Sequence, residues 1–264
     1  MTIGTIDSVA YAEIAVIGNI PVANVGTIGI GSGAISPPAG SGGSDFTYGN
    51  DANTIMLVHS DTTSGSTTFV NSAYAPGSST ITALGSVDHS TTQSKFGGSA
   101  IKTIRAGGST IRLDFVDEMN VGSGDYTIDW WFYGELVPAN NTYIVDTNNV
   151  SRLYCYQVKN EDPIKSYGSY DNTTYQSGCA SLSGGWTHFA VVRQSGVTHL
   201  YNNGVQFASG TIFTSWDNRT EIYVMTNFGN TQGFDGYVDE IRVSDIARWS
   251  GAFTPRTAAY GTAE

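Results

Sequence analysis

The chain has 264 residues, enough for one large β domain with an appendage or for two small domains. Its formal net charge of -11, with only 12 Lys+Arg and no cluster of them, excludes the concentrated positive charge that a nucleic-acid partner requires. No apolar run approaches the roughly 20 residues that span a bilayer, so no membrane insertion is expected.

The opening "MTIGTIDSVAYAEIAVIG" lacks the basic n-region and unbroken apolar core of a secretory signal, and none is expected. It does contain a weak repeat. Ile3-Gly4-Thr5-Ile6, Ile14-Ala15-Val16-Ile17 and Val25-Gly26-Thr27-Ile28 share one pattern at successive offsets of 11 residues. So short a segment has regular apolar contacts but too little surface to bury them alone. Residues 1–35 are therefore read as a β-rich arm, with Ile3, Ile6, Ile14, Ile17, Val25 and Ile28 as candidate contacts to sister chains in a homotrimer or to a larger particle. The plain alternative is an N-terminal strand of the main domain. "GSGAISPPAGSGGSD" (31–45) follows as flexible chain. The linker is assigned to 36–53 and the main domain to 54–264.

From "TIMLVHSD" (54–61) onward, β-prone runs alternate with Gly, Asn, Asp and Ser, which predicts an all-β sandwich. "SAIKTIRA" and "STIRLDF" flank Gly107-Gly108, which predicts a hairpin. "GDYTIDWWFYG" (124–134) alternates: Tyr126, Ile128, Trp130 and Phe132 are expected on one face, and Thr127, Asp129, Trp131 and Tyr133 on the other. Trp130, Trp131 and Trp186 are expected in the core or between sheets. Strands are expected to join around Ser195-Gly196, and Asn203-Gly204 predicts a type I′ hairpin turn, since both residues tolerate positive φ. The only helix-like turn expected is at Asp245–Trp249. Cys155 and Cys179 are expected as half-buried thiols in strands, with a disulfide between them as the alternative, their spacing fitting no zinc motif.

Taken in order, "TIMLVHSD", "QSKFGGSAIK", "GDYTIDWWFY", "GGWTHFAVVRQSGVTHLYNNGVQFASG", "GFDGYVDEIRVSDIARW" and "FTPRTAAY" resemble the concanavalin A-like, laminin-G-like jelly roll in the form found in tailed-bacteriophage virion proteins. The resemblance implies a two-sheet antiparallel jelly-roll sandwich. Its relatives include lectins, decoration modules, adhesins and glucanases, so fold does not decide function.

Candidate chemistry centres on the adjacent carboxylates of "GYVDEIRVSDIARW" (236–249). In a regular strand, Tyr237, Asp239, Ile241 and Val243 share one face, and Val238, Glu240, Arg242 and Ser244 the other. Asp239 and Glu240 then cannot address one substrate bond. Asp235 and Asp239, or Asp125 and Asp129, stand about 13 Å apart along a strand at ~3.3 Å per residue, beyond the roughly 5–9.5 Å of two-carboxylate glycosidases. The Glu-x-Asp-x-Glu strand of the glucanase relatives is absent. The resemblance implies a possible structural Ca²⁺ at a sandwich rim, with Asp61 and Asp239 as candidate ligands. The scaffolding alternative has Asp239 accepting hydrogen bonds from a loop while Glu240 and Arg242 pair on an exposed face. His188 and His199 are expected as structural residues in strands. No Ser/His/Asp elbow or phosphate loop is found.

Two stretches combine flat aromatic faces with hydrogen-bonding groups, as sugar recognition requires. They are "YGSYDNTTYQ" (167–176) and "TSWDNRT" (214–220), giving Trp216, Asp217, Asn218, Tyr167, Tyr170 and Tyr175 as candidate carbohydrate contacts. The expectation for the whole is a non-enzymatic virion structural protein of a bacteriophage, assembled in the host cytoplasm, of capsid-decoration or head-fibre type. Its partners would be phage capsid or tail proteins. The alternative is a tail-fibre adhesin for surface polysaccharide; a glycoside hydrolase ranks below both.

Overall fold

In the computed structural model, the described residues are 16–17, 20–21, 49–74, 76–115, 123–134, 142–147, 153–157, 163–168, 174–181, 185–211 and 220–261. Contacts divide the chain into Met1–Phe46 and Thr47–Glu264. Of the first unit, a two-stranded ladder is described, β1 (Val16–Ile17) with β2 (Ile20–Pro21), in which Ile17 faces Ile20. Ile3, Ile6, Ile14, Val25 and Ile28 lie outside the described residues.

The second unit is all-β, and no α-helix occurs among its described residues. Its strands are β3 (Thr54–Val58), β4 (Thr80–Leu84), β5 (Asp88–Ser90), β6 (Ala100–Thr103), β7 (Thr110–Asp114), β8 (Tyr126–Gly134), β9 (Thr142–Thr147), β10 (Leu153–Gln157), β11 (Pro163–Gly168), β12 (Thr174–Ser181), β13 (Thr187–Gln194), β14 (Val197–Asn202), β15 (Val205–Gly210), β16 (Glu221–Val224) and β17 (Gly236–Ser244). One sheet has seven strands in the order β12-β11-β10-β9-β16-β7-β4. The other has eight, β15-β14-β13-β8-β17-β6-β5 with β3 paired to β17. The pairings are antiparallel, as a jelly-roll sandwich requires.

The alternation of β8 places Tyr126, Ile128, Trp130 and Phe132 in the core between the sheets, as expected. Phe189, Val191, Ile144, Ile222 and Val224 meet them from β13, β9 and β16. Cys155 is a free thiol in this core, where burial pushes its pKa up; Cys179 lies in β12. At the β14–β15 turn, Asn203 and Gly204 have φ of 48° and 76°, the paired positive values that a type I′ turn needs. A Cβ on Gly204 would overlap the Phe253 carbonyl, so the close approach of the C-terminal segment also demands glycine here.

The turn at Gly107-Gly108 departs from expectation. Ile104 and Ser109 form one bridge, but β6 then joins the eight-stranded sheet and β7 the seven-stranded one. It is a corner between sheets, which strand propensity alone does not distinguish from a hairpin.

Part of the outer face of the eight-stranded sheet is covered. Residues 245–261 run across it and form a third layer. Ala247, Trp249 and Phe253 pack on Ala190, Val192 and Tyr201, Trp249 stacking on Phe253 with ring centroids 3.7 Å apart. Tyr260 packs on Leu57 and Ala73. The unit also reaches back before Thr54, into the stretch read as linker: Asn50 donates to the Ser72 carbonyl, and Asp51 takes both arms of Arg248 at 2.6 Å.

Candidate functional site

The carboxylates of β17 sit where that strand changes neighbours. Gly236–Val238 pairs with β6, and Ile241–Ser244 pairs with β3. Between them the register with β8 slips: Asp239 faces Trp131 while Arg242 faces Asp129, so β17 carries one extra residue. Glu240 takes a φ of 52° at this bulge.

The bulge overturns the expected assignment of faces. Val238, Ile241 and Val243 all enter the core, and Asp239, Glu240 and Arg242 all reach the groups packed over the outer face. The two neighbouring carboxylates therefore lie on one side of the sheet. Their side chains gather backbone amides and a histidine around the bulge. Asp239 Oδ2 accepts the amides of Lys95 (2.9 Å) and Phe96 (3.2 Å), and its Oδ1 accepts that of Glu240 (2.9 Å). Glu240 accepts His59 Nδ1–H on Oε1 at 2.5 Å and the Tyr260 amide on Oε2 at 2.7 Å. Asp239 thus holds a loop, as the scaffolding reading expects. The exposed Glu240–Arg242 pair does not form: each residue is 1% exposed, and they take different partners.

Arg242 pairs instead with Asp129 of β8. Its Nε lies 3.0 Å from Asp129 Oδ1, and its guanidinium lies 4.1 Å from the centre of the Tyr260 ring. Asp129 Oδ2 accepts His188 Nε2–H at 3.2 Å and the Tyr260 hydroxyl. Burial opposes the Asp129 charge, yet Arg242, His188 and Tyr260 hold its pKa down to about 2. His188 is the structural histidine expected, whereas His199, near the surface, reaches Gln206 at 3.0 Å and lies beside the Tyr201 ring. At Asp239 the balance is reversed. Burial pushes its pKa up to about 7 against the Phe96 and Lys95 amides. His59 is also partly buried, but the Glu240 carboxylate overrides this and raises it.

A carboxyl raised in the fold keeps its proton longer there than in the unfolded chain. Its favourable contribution is complete below the ordinary value of 3.8 and is lost as pH climbs through about 7. Wild type minus Asp239→Asn stability, measured by urea unfolding, is therefore expected to shrink by on the order of a few kcal/mol between pH 4 and 8. Taking this difference cancels the titrations common to both proteins, apart from that of His59, whose pKa the Asp239 charge helps to raise. A flat difference would place the titration elsewhere.

The described residues around Asp239 do not suit a calcium ion. Three N–H groups converge on its oxygens, where a hard cation needs further oxygen donors. Asp61 is exposed and accepts the Gly98 amide at 3.3 Å. Among the described residues, no three His, Cys, Asp or Glu stand together as a metal set. Nor do the buried groups form an open catalytic pair. A serine–histidine contact that motif reading missed, Ser60 Oγ to His89 Nδ1 at 2.6 Å, is also enclosed, with Ser60 0% exposed. Among the candidate sugar contacts, Tyr167 and Tyr175 are backbone register partners on β11 and β12. Trp216, Asp217, Asn218 and Tyr170 lie outside the described residues.

The sequence profile of the concanavalin A-like lectin/glucanases superfamily matches residues 105–250, more than half of the chain. No curated protein matches the sequence. Domain 4 of AbnA, an extracellular arabinanase of family GH43 from Geobacillus stearothermophilus solved in complex with arabinotriose, is similar in structure. Its TM-score is 0.53 at 20% identity, over 77% of this chain and 95% of that one. The binding domain of Paraclostridial Mosquitocidal Protein 1 gives 0.53 at 12% identity over 74% of this chain, and that of botulinum neurotoxin serotype C1 gives 0.55 at 10% over 74%. The chain spans about half the length of these two toxin domains, 49% of each. At such identities the likeness is one of fold.

Proposed function

The chain belongs to the concanavalin A-like lectin/glucanases superfamily, and from that membership we propose that it is a non-enzymatic bacteriophage virion component whose jelly roll binds carbohydrate without cleaving it. The observation that carries the binding reading is the fate of the carboxylates. Asp129, Asp239 and Glu240, on the two central strands, are each at most 1% exposed and hydrogen-bonded to scaffold groups. A glycosidase needs two carboxyls flanking a substrate bond, and these three are spent on scaffold: Asp129 and Glu240 hold Tyr260 of the third layer, and Asp239 holds the Lys95–Phe96 loop. Likeness to a domain solved with arabinotriose supports a sugar as ligand.

The virion setting rests on the sequence. An arm with an Ile/Val repeat, a Gly/Ser/Pro linker and a single lectin-like domain suit capsid decoration or a short head fibre, with three arms burying their apolar stripe together. A tail-fibre adhesin for surface polysaccharide is the second reading, and it shares the same jelly-roll chemistry.

The test is glycan-array binding by the full chain, with a reducing-sugar assay on every glycan bound. Saturable binding without sugar release is expected. Sugar release that disappears on a single carboxylate substitution would make the protein a hydrolase. Sedimentation of the full chain beside one starting at Phe46 tests the arm, which is expected to convert a trimer to a monomer on removal. Two monomers would end the trimer reading.

A further inference from the structure

A row of side chains crosses the outer face of the eight-stranded sheet beside the sealed network. Tyr133 of β8 faces Tyr237 of β17, Tyr237 faces Lys102 of β6, and Lys102 faces Asp88 of β5. Trp186 comes next to Tyr133 from the other side, because Thr187 after it pairs with Phe132. Ring centroids are 5.9 Å apart from Trp186 to Tyr133 and 6.3 Å from Tyr133 to Tyr237. Trp186 was expected in the core or between sheets. It lies instead on the outside, half-buried, as do the other four members of the row.

The adjoining row shows what covering this face entails. His188, Trp131 and Asp239 are closed over by Trp249, Phe253 and the Lys95–Phe96 loop, with Lys95 Nζ 3.8 Å from the centre of the Trp131 ring. Among the described residues, no such cover extends over Trp186, Tyr133 and Tyr237, and neither tyrosine hydroxyl has a hydrogen-bond partner. The backbone underneath is fixed. Gly134 and Gly236, next to the two tyrosines, face each other, and a Cβ on Gly134 would overlap the Phe234 ring that closes the core behind them.

We propose that Trp186, Tyr133, Tyr237 and Lys102 form a carbohydrate-binding platform on this outer face. The proposal rests on the carbohydrate-binding reading above and gives it a place. Three aromatic rings at about one strand spacing, ending in an ammonium and a carboxylate, offer apolar faces for sugar rings and hydrogen bonds for their hydroxyls. The rings are turned 57° and 65° from one another, a stepped strip that suits a short, twisting oligosaccharide better than a flat fibre surface. The row is also far smaller than the roughly 20–30 residues a side of a stable protein interface.

The experiment is calorimetric titration of the full chain with arabinotriose, xylohexaose, cellohexaose and mannohexaose, for wild type, Trp186→Ala, Tyr237→Ala and Trp216→Ala. At least a tenfold loss of affinity is expected for the first two variants and less than threefold for Trp216→Ala. Tyr237→Phe, which keeps the ring, is expected to retain most of the affinity. In wild type, a saturating sugar should shield Trp186 and Tyr237 from hydroxyl-radical oxidation, a readout that holds if an alanine variant does not fold. Loss confined to Trp216→Ala, with no shielding of the row, would overturn the platform and leave carbohydrate binding standing. A change of sedimentation in Tyr237→Ala would make the row a protein contact and also overturn it. No binding of any of these sugars, or on the glycan array, would overturn both readings.

Discussion

Asp129→Ala is expected to destabilise the fold by about 3–5 kcal/mol, the cost of leaving a buried charge without its partner. Asp129 and Arg242 are 0% and 1% exposed, so water cannot compensate either of them. The alanine also strands His188 Nε2–H and the Tyr260 hydroxyl, both of which donate to the lost carboxylate. Asp129→Asn keeps the shape but leaves the Arg242 charge unbalanced, and should fall between wild type and alanine. The instructive variant is the double one. Asp129→Leu with Arg242→Met removes both charges, and its loss should be several kcal/mol smaller than the sum of the single losses. Urea unfolding of wild type, Asp129→Leu, Arg242→Met and the double variant measures that coupling. Additive losses would mean that the pair does not interact as its 3.0 Å geometry requires. The group also sets the acid limit. Its pKa is held at about 2, so its contribution is complete above the ordinary 3.8 and is lost only as pH falls below that towards 2.

How much of this was legible in the sequence depends on how far apart the interacting residues stand. The inward face of "GDYTIDWWFYG" and the Asn203-Gly204 turn are local, set by the two-residue period and by positive φ, and both are found as expected. The bulge at Glu240 is not local. It arises where β17 passes from β6 to β3, strands more than 130 residues away in the chain, and no period in "GYVDEIRVS" signals it. A strict alternation therefore put Asp239 and Glu240 on opposite faces, when one extra residue brings them to the same one. The outer aromatic row was hidden for a related reason. Tyr133, Tyr237 and Trp186 belong to three separate segments, and only the register of β8 with β13 and β17 aligns them. Trp186 looked like a core residue because size and hydrophobicity do not say which side of a sheet a side chain takes.

The closing segment "FTPRTAAY" carries no strand or helix signal, yet removing it is expected to have the largest effect of all. Tyr260 alone ties three elements to the sheet. Its amide donates to Glu240 of β17, its hydroxyl to Asp129 of β8, and its ring packs on Leu57 of β3 while the Arg242 guanidinium lies against it. Tyr260→Phe keeps the ring and deletes one buried donor, for an expected loss of about 1–3 kcal/mol. Tyr260→Ala also empties a buried aromatic site and should cost about 3–5 kcal/mol. Ending the chain at Trp249 goes further. It strips Phe253 from Ala190, Val192 and Tyr201, and uncovers Asp129, Glu240 and Arg242 together. With a domain of this size holding on the order of 5–15 kcal/mol in all, the truncated chain should lose cooperative thermal unfolding altogether. Calorimetry across the three variants would give that graded series. A truncated chain that still melted cooperatively near the wild-type temperature would mean that the two sheets are stable by themselves, and that the third layer serves the outer surface rather than the fold.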